Sequence, residues 1–255
     1  MAQFFENFAG KALDTLPAEF TFPWGGAGSI KSGNPVAGSD RHLQILPTIS
    51  GFAREALRWA VGDTSGVTTV RARILVILSS GSQDKWIIGP LVSADGASSA
   101  GRTGYGHWQA HTSTRIARYQ SGGESIIANV APPTFQTGAQ DLYFELVRDG
   151  GYIEVRTWPA AGTRPTTPSA SVTDASPLPV AGFFGLSLLS RDDGSPNLEL
   201  YEIKVATDGD PLPGETPAVL TTPTNLTGVV NSESVDMNWG SVSGADYYQY
   251  ELRKV

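Results

Sequence analysis

The segment DLYFELVRDGGYIEVRTW, residues 141–158, constrains this chain more tightly than any other. On its first arm Leu142, Phe144 and Leu146 recur at every second position. On its second arm Ile153 and Val155 do the same, and Asp149-Gly150-Gly151 stands between the two. A period of two places one set of side chains on a single face of a strand. Two such runs around an Asp-Gly-Gly turn predict a β-hairpin whose apolar residues face inward. The remaining residues Glu145, Arg148, Glu154 and Arg156 have mixed signs, so they read as solvated cross-strand pairs, each worth under about 1 kcal/mol.

The same period recurs along the first four-fifths of the chain. In VTTVRARILVILS, Val70, Ala72, Ile74, Val76 and Leu78 share one face while Thr69, Arg71 and Arg73 begin the other. Leu75 and Ile77 then make the far end apolar on both sides, a surface that another copy of the chain or the N-terminal FFENFAG segment would cover. Further strands are expected at 19–24, 42–46, 52–60, 85–92, 104–112, 114–119, 124–129, 182–190 and 197–206, between clusters of Gly, Pro, Asn, Asp or Ser. In NLELYEIKV the apolar phase slips between Leu200 and Ile203, which predicts a β-bulge. GFAREALRW is the one segment that also fits a helix, with Phe52, Ala56 and Trp59 on one face. With 29 glycines, 17 prolines and only 17% charged residues, composition agrees with an all-β fold.

Charge and composition exclude several function classes. A net charge of −7 without any Lys/Arg cluster argues against nucleic acid or an anionic membrane as partner, and leaves neutral ligands such as glycans or proteins. The chain has no cysteine, which removes disulfides, thiolate catalysis and Cys-based zinc sites. MAQFFENFAG lacks the basic and apolar regions of a secretory signal, and PLPVAGFFGLSLLS is too short and too broken to insert in a membrane.

Texture changes at residue 207. TDGDPLPGETPAVLTTP carries four prolines and reads as a semi-rigid linker over 207–222. In the tail, 223–255, Leu226, Val235, Met237 and Trp239 keep a strand-like phase before a GSVSGA turn and a tyrosine-rich run. This tail resembles the opening of a fibronectin type III domain, with its proline-led first strand, a tryptophan closing the second and Ala-Asp-Tyr-Tyr starting the third. Such sandwiches need roughly 100 residues. The expectation is therefore an incomplete domain, continued in a longer protein or completed by a partner.

Residues 1–206 resemble a larger family. The hairpin YFELVRDGGYIEVRTWP, the loop AAGTRPTTPSASVTDASP, the strand AGFFGLSLLS and the closing LELYEIKVATDGD follow one another as in the laminin G/concanavalin A-like jelly roll of bacteriophage tail and head-fibre proteins. The resemblance implies a two-sheet antiparallel sandwich used as an adhesive or structural virion module, and it implies glycan binding as a frequent role.

GYGHWQAH, residues 104–111, is the candidate site. On a strand His107 and His111 lie about 13 Å apart, too far to share a metal ion, and the acidic partner of an HExxH zinc motif is missing. Tyr105, His107, Gln109 and His111 would instead share one face, with Trp108 and Ala110 on the other. A row of rings and amides suits a sugar, whose C–H face stacks and whose hydroxyls pair. The alternative is that these residues simply cover a sheet, as Trp24, Trp59, Trp86 and Trp158 also would. Asp192, Asp193 and Asn197 in SRDDGSPN are oxygen ligands of the type calcium takes, although Asp-Asp-Gly is also an ordinary turn.

Catalysis is not expected. Glycoside hydrolysis needs two carboxylates facing a cleft, and the nearest pair, Glu199 and Glu202, falls on opposite faces of a regular strand. Nor is there a nucleophile elbow or a phosphate loop. Two readings follow. The first is a virion structural or adhesion protein, made in the host cytoplasm, partnered by other virion proteins and a host-surface glycan, and assembled as a homo-oligomer. The second is an accessory carbohydrate-binding module of a secreted or surface bacterial protein.

Overall fold

A computed structural model describes residues 3–18, 20, 27–34, 38–46, 54–60, 66–78, 85–91, 103–110, 113–121, 123–131, 138–179, 183–189, 198–215, 227–230 and 235–238. The chain forms two compact units, Met1–Pro213 and Gly214–Val255. The strands of the first unit are β1 (Gln3–Glu6), β2 (Ala27–Asn34), β3 (Gly38–Leu46), β4 (Arg54–Ala60), β5 (Thr68–Leu78), β6 (Lys85–Leu91), β7 (Gly104–Ala110), β8 (Ser113–Gln120), β9 (Gly123–Val130), β10 (Gly138–Asp149), β11 (Tyr152–Pro159), β12 (Ala170–Thr173), β13 (Phe183–Leu189) and β14 (Leu198–Ala206). In the second unit β15 (Thr227–Val230) and β16 (Val235–Asn238) pair antiparallel. Among the described residues no helix is long and apolar enough to cross a membrane.

Two antiparallel sheets make the first unit. The eight-stranded sheet runs β12, β11, β10, β5, β14, β3, β2, with β1 also paired to β14, and the six-stranded sheet runs β4, β13, β6, β7, β8, β9. The predicted hairpin is present as β10 and β11, with Leu146 opposite Val155 and Glu145 opposite Arg156. Gly150 takes a left-handed φ of 55°, which a glycine adopts without steric cost. GFAREALRW supplies a strand, β4, so alternation prevails there over the helical reading. The segment predicted at 19–24 falls largely outside the described residues.

Alternating residues of both sheets meet in the core. Leu146, Ile153, Val155 and Ala170 of the large sheet pack with Tyr105 and Ile116 of the small one and with Leu178. Phe144, Ala72, Ile74, Ile203 and Leu43 continue that buried layer along the large sheet. The polar groups of Tyr105 and Arg148 are paired inside it. Tyr105 Oη donates to Asp174 Oδ2 at 2.7 Å and accepts from Leu178 N at 3.0 Å, while Arg148 donates to the carbonyls of Gly150, Leu178 and Pro179. These bonds tie the loop after β12 to both sheets. Arg148 is therefore buried, not solvated as its place in the hairpin suggested. Burial pulls its guanidinium below the ordinary arginine value, and the Tyr105 and Asp174 charges partly offset this.

The phase slip in the last strand is real. Pairing between β14 and β5 shifts register between Leu200 and Glu202, so Glu199 sits opposite Leu75 and Glu202 opposite Arg73. Without the bulge these two glutamates would alternate; with it both face outward from the large sheet. The expectation that they oppose one another is thereby corrected.

Candidate functional site

The outward side of the eight-stranded sheet carries the densest chemistry among the described residues. Register aligns Trp158 of β11, Tyr143 of β10, Arg73 of β5 and Glu202 of β14, and side-chain contacts carry the row on to Tyr201 of β14 and His42 of β3. Tyr143, Arg73 and Glu202 are half-buried, whereas Trp158, Tyr201 and His42 are buried. Trp158 stacks on Tyr143 with centroids 5.2 Å apart and an interplanar angle of 24°. The Arg73 guanidinium lies 5.4 Å from the Tyr201 centroid, and the Tyr201 and His42 rings are 5.1 Å apart. Contacts at these distances are favourable, each worth about 0.5–1.5 kcal/mol.

Carboxylates flank this row. Arg73 makes a bidentate pair with Asp141, at 2.7 Å and 3.1 Å. That hydrogen bond, outweighing the cost of burial, raises the Arg73 guanidinium further above its already high value. Tyr201 donates to Glu199 at 2.6 Å, and His42 Nε2 is 3.9 Å from the same carboxylate. Lys204 lies 3.4 Å from Glu202. Burial first, and then the Glu202 charge, raises the Tyr143 phenol, which keeps it a hydrogen-bond donor at neutral pH. Gln44, opposite Glu199, is half-buried and extends the polar set. Rings beside paired donors and acceptors are what a polyhydroxylated ligand recognises.

One residue pair along, the same face is closed by a loop. Glu145 is 0% exposed. Its carboxylate accepts from Arg71 at 2.5 and 2.8 Å, from Arg156 at 3.3 Å and from Arg164 at 2.5 to 3.0 Å. Burial alone would raise this carboxyl, but the Arg164 hydrogen bond and the Arg71 and Arg164 charges prevail and hold it below the usual carboxylate range. Arg156 also bonds Glu154 and the carbonyls of Pro165 and Thr166, fastening the loop between β11 and β12 over the sheet. Glu145 and Arg156 are thus a buried network and not the solvated pairs their alternation suggested. The covering loop, invisible to strand periodicity, is the reason.

Tyr105, His107 and Gln109 do share a face, but it is the face turned to the other sheet. All three are 0% exposed. The His107 ring packs 5.5 Å from Phe144, and its Nε2 meets Thr157 Oγ1 at 3.1 Å. Thr157 and Thr114 donate to Gln109 Oε1 at 3.2 and 2.8 Å, and Gln109 Nε2 donates to the Ser113 carbonyl. The row is a polar seam inside the sandwich, and no ligand reaches it. Trp108 lies on the opposite face, its Nε1 donating to Tyr119 Oη at 2.7 Å with Arg115 over its ring. His111, Asp192, Asp193 and Asn197 lie outside the described residues. Among those described, no three His, Asp or Glu side chains gather to hold a metal ion. Leu75 faces outward but is buried, while the Ile77 side chain is outside the described set.

The bulge was the signal that would have found the outward row. It is legible in NLELYEIKV, and once applied it brings Glu199, Tyr201 and Glu202 together beside Arg73.

This architecture is a concanavalin A-like two-sheet β-sandwich. Among solved structures, the carbohydrate recognition domain of Emp47p matches with a TM-score of 0.55 at 10% identity, over 79% of this chain and 93% of that one. The exoplasmic/lumenal domain of VIP36, solved with Ca2+ and Man2, gives 0.56 at 11% identity over 85% and 90%. The cellulose-induced protein Cip1 gives 0.55 at 15% identity over 80% and 97%. No protein-family model matches the sequence, and no curated protein matches it.

Proposed function

We propose that this protein is a glycan-binding module, and that the glycan lies on the outward face of the eight-stranded sheet. The observation that carries this reading is the half-buried polar set of Tyr143, Arg73, Asp141, Glu199 and Glu202 on that face, backed by the buried rings of Trp158, Tyr201 and His42. Carbohydrate recognition in Emp47p and mannose-containing ligands in VIP36 support it through the shared fold. The module binds without cleaving. Its setting is that of an accessory domain carrying a bacterial surface or secreted carbohydrate-active protein to its substrate, with the fibronectin-like tail as a spacer. Display on a virion is the second setting, favoured by the phage-type order of segments in 140–206. Calcium at Asp192, Asp193 and Asn197 belongs to the same proposal, and a melting-temperature shift on adding CaCl2 and its reversal by EDTA test it.

A glycan array with the full chain, beside Tyr143→Ala and Arg73→Gln, tests the main reading. Specific binding should fall by about tenfold or more in both variants, with circular dichroism unchanged and no new reducing ends released from the bound glycan. Silence across the array, or binding that both variants leave intact, overturns it.

A further inference from the structure

Asp141 and Glu199 both stand opposite Leu75, one on the strand to either side of it. Register therefore sets Asp141 of β10, Leu75 of β5 and Glu199 of β14 in one transverse line on the outward face, with Gln44 of β3 next to Glu199. Paired residues of adjacent strands lie about 5 Å apart, so the two acidic residues are about 10 Å apart across the leucine. Two O–H···O bonds of about 2.7 Å leave room between their carboxylates for one sugar ring and not for two. Leu75, which keeps 8% of its surface in solvent, is an apolar floor for the C–H face of that ring, and Tyr143 and Arg73 are half-buried beside it.

Both carboxylates are already aimed. Arg73 holds Asp141 with two bonds, and the buried Tyr201 donates to Glu199 at 2.6 Å. A carboxylate offers about four lone-pair sites, so such bonds fix its direction and leave it an acceptor for hydroxyls. The surrounding rings are shielded: Trp158, Tyr201 and His42 are 5%, 3% and 2% exposed, so a neighbouring sugar of a chain would find none of them open to stack on.

Charge narrows the ligand further. Glu202 joins Asp141 and Glu199 in this set, while its described cations are Arg73 and Lys204, each already beside a carboxylate. An acidic sugar would enter against the remaining negative charge, and like charges at close range oppose binding.

Building on the glycan-binding reading, we infer that the site takes one neutral pyranose, seated on Leu75 and held by Asp141 and Glu199 through hydroxyls on opposite edges of its ring.

Calorimetry on the full chain tests this with methyl glycosides of mannose, glucose, galactose, xylose and N-acetylglucosamine. Oligomers of up to four units, the singly deoxygenated forms and the uronic acid analogue of whichever sugar binds complete the set. Affinity should change by less than about threefold from one unit to four. Deoxygenation at two positions, on opposite edges of the ring, should each cost about tenfold or more, and the uronic acid should bind more weakly than its neutral parent. Asp141→Asn should abolish the penalty of one deoxygenation and Glu199→Gln that of the other, a coupling that a change in folding alone does not produce. The deoxygenated series on the unaltered chain reads the same contacts whether or not either variant folds. Affinity that climbs about tenfold or more with length, required hydroxyls confined to one edge, or penalties that persist in both variants overturn the one-ring assignment. Preference for the uronic acid overturns the neutral one, and each of these results leaves glycan binding intact. Silence with every sugar sinks the glycan-binding reading itself, and this inference with it.

Discussion

His107 brings an imidazole into the centre of the sandwich, where water cannot solvate a charge. Burial lowers its pKa from 6.5 to about 3, with Glu145 pulling weakly the other way. Between those values the unfolded chain binds a proton that the folded chain refuses. Folding stability is therefore fully present above pH 6.5 and declines as pH falls toward 3, at up to about 1.4 kcal/mol per pH unit. Glu145, held below its ordinary range, adds acid lability only below about pH 4.5, where its carboxylate begins to protonate in the unfolded chain. Urea midpoints measured from pH 8 to 4.5 isolate the histidine. His107→Gln should be less stable at pH 8, because it loses ring packing on Phe144, yet it should be flatter between pH 6.5 and 4.5. Parallel slopes for the two proteins would assign the acid sensitivity to another group. At this scale the sequence shows that Tyr105, His107 and Gln109 share a face, but not which way the face points. Trp108 and its partner Tyr119 on the other side are buried as well, so alternation of polarity loses its inside-outside meaning on that strand.

Strands with a strong period, β5, β10, β11 and β14, are legible from their residues alone. Three others are not. In β1 only four residues pair with β14; β2, AGSIKSGN, is rich in small and polar residues; β12 lies in a stretch that its prolines and serines mark as loop. Pairing with an existing edge holds these strands, so their own pattern need not be strong. The hairpin turn gives a test of how tightly β12 is placed. Gly150 has the left-handed φ, but a Cβ there would meet nothing within 4 Å. Gly151 has no such φ, yet a Cβ there would lie 2.7 Å from Asp174 O and 3.4 Å from Pro177 Cβ, beside the bond from Asp174 N to Gly151 O. Gly151→Ala should therefore cost about 1–3 kcal/mol, by forcing the loop after β12 away from the hairpin. Gly150→Ala should cost about 1–2 kcal/mol, from backbone strain alone. Urea denaturation gives both values. Amide exchange separates the causes, because only Gly151→Ala should speed exchange at Asp174.

The composition break at residue 207 suggests that the sandwich ends with its last strand, but the compact unit runs to Pro213. Thr207 and Leu212 are buried, and Gln3 Nε2 donates to the Pro211 carbonyl at 2.6 Å. Gly209 N also returns to the Val67 carbonyl at the start of β5. Two of the prolines that read as linker, Pro211 and Pro213, thus lie in a segment that folds back and clasps β1, and β1 in turn edges the strand carrying Glu199, Tyr201 and Glu202. A sequence cannot show this clasp, since Leu212 stands between two prolines with no periodicity around it. Truncation makes the distinction measurable. Residues 1–213 should fold cooperatively and keep any glycan affinity of the full chain. Residues 1–206 should lose about 2–5 kcal/mol, roughly the cost of removing one buried leucine, and should fray first at β1. Equal urea midpoints for the two fragments would show that the clasp contributes nothing, and would place the functional end of the sandwich at Ala206.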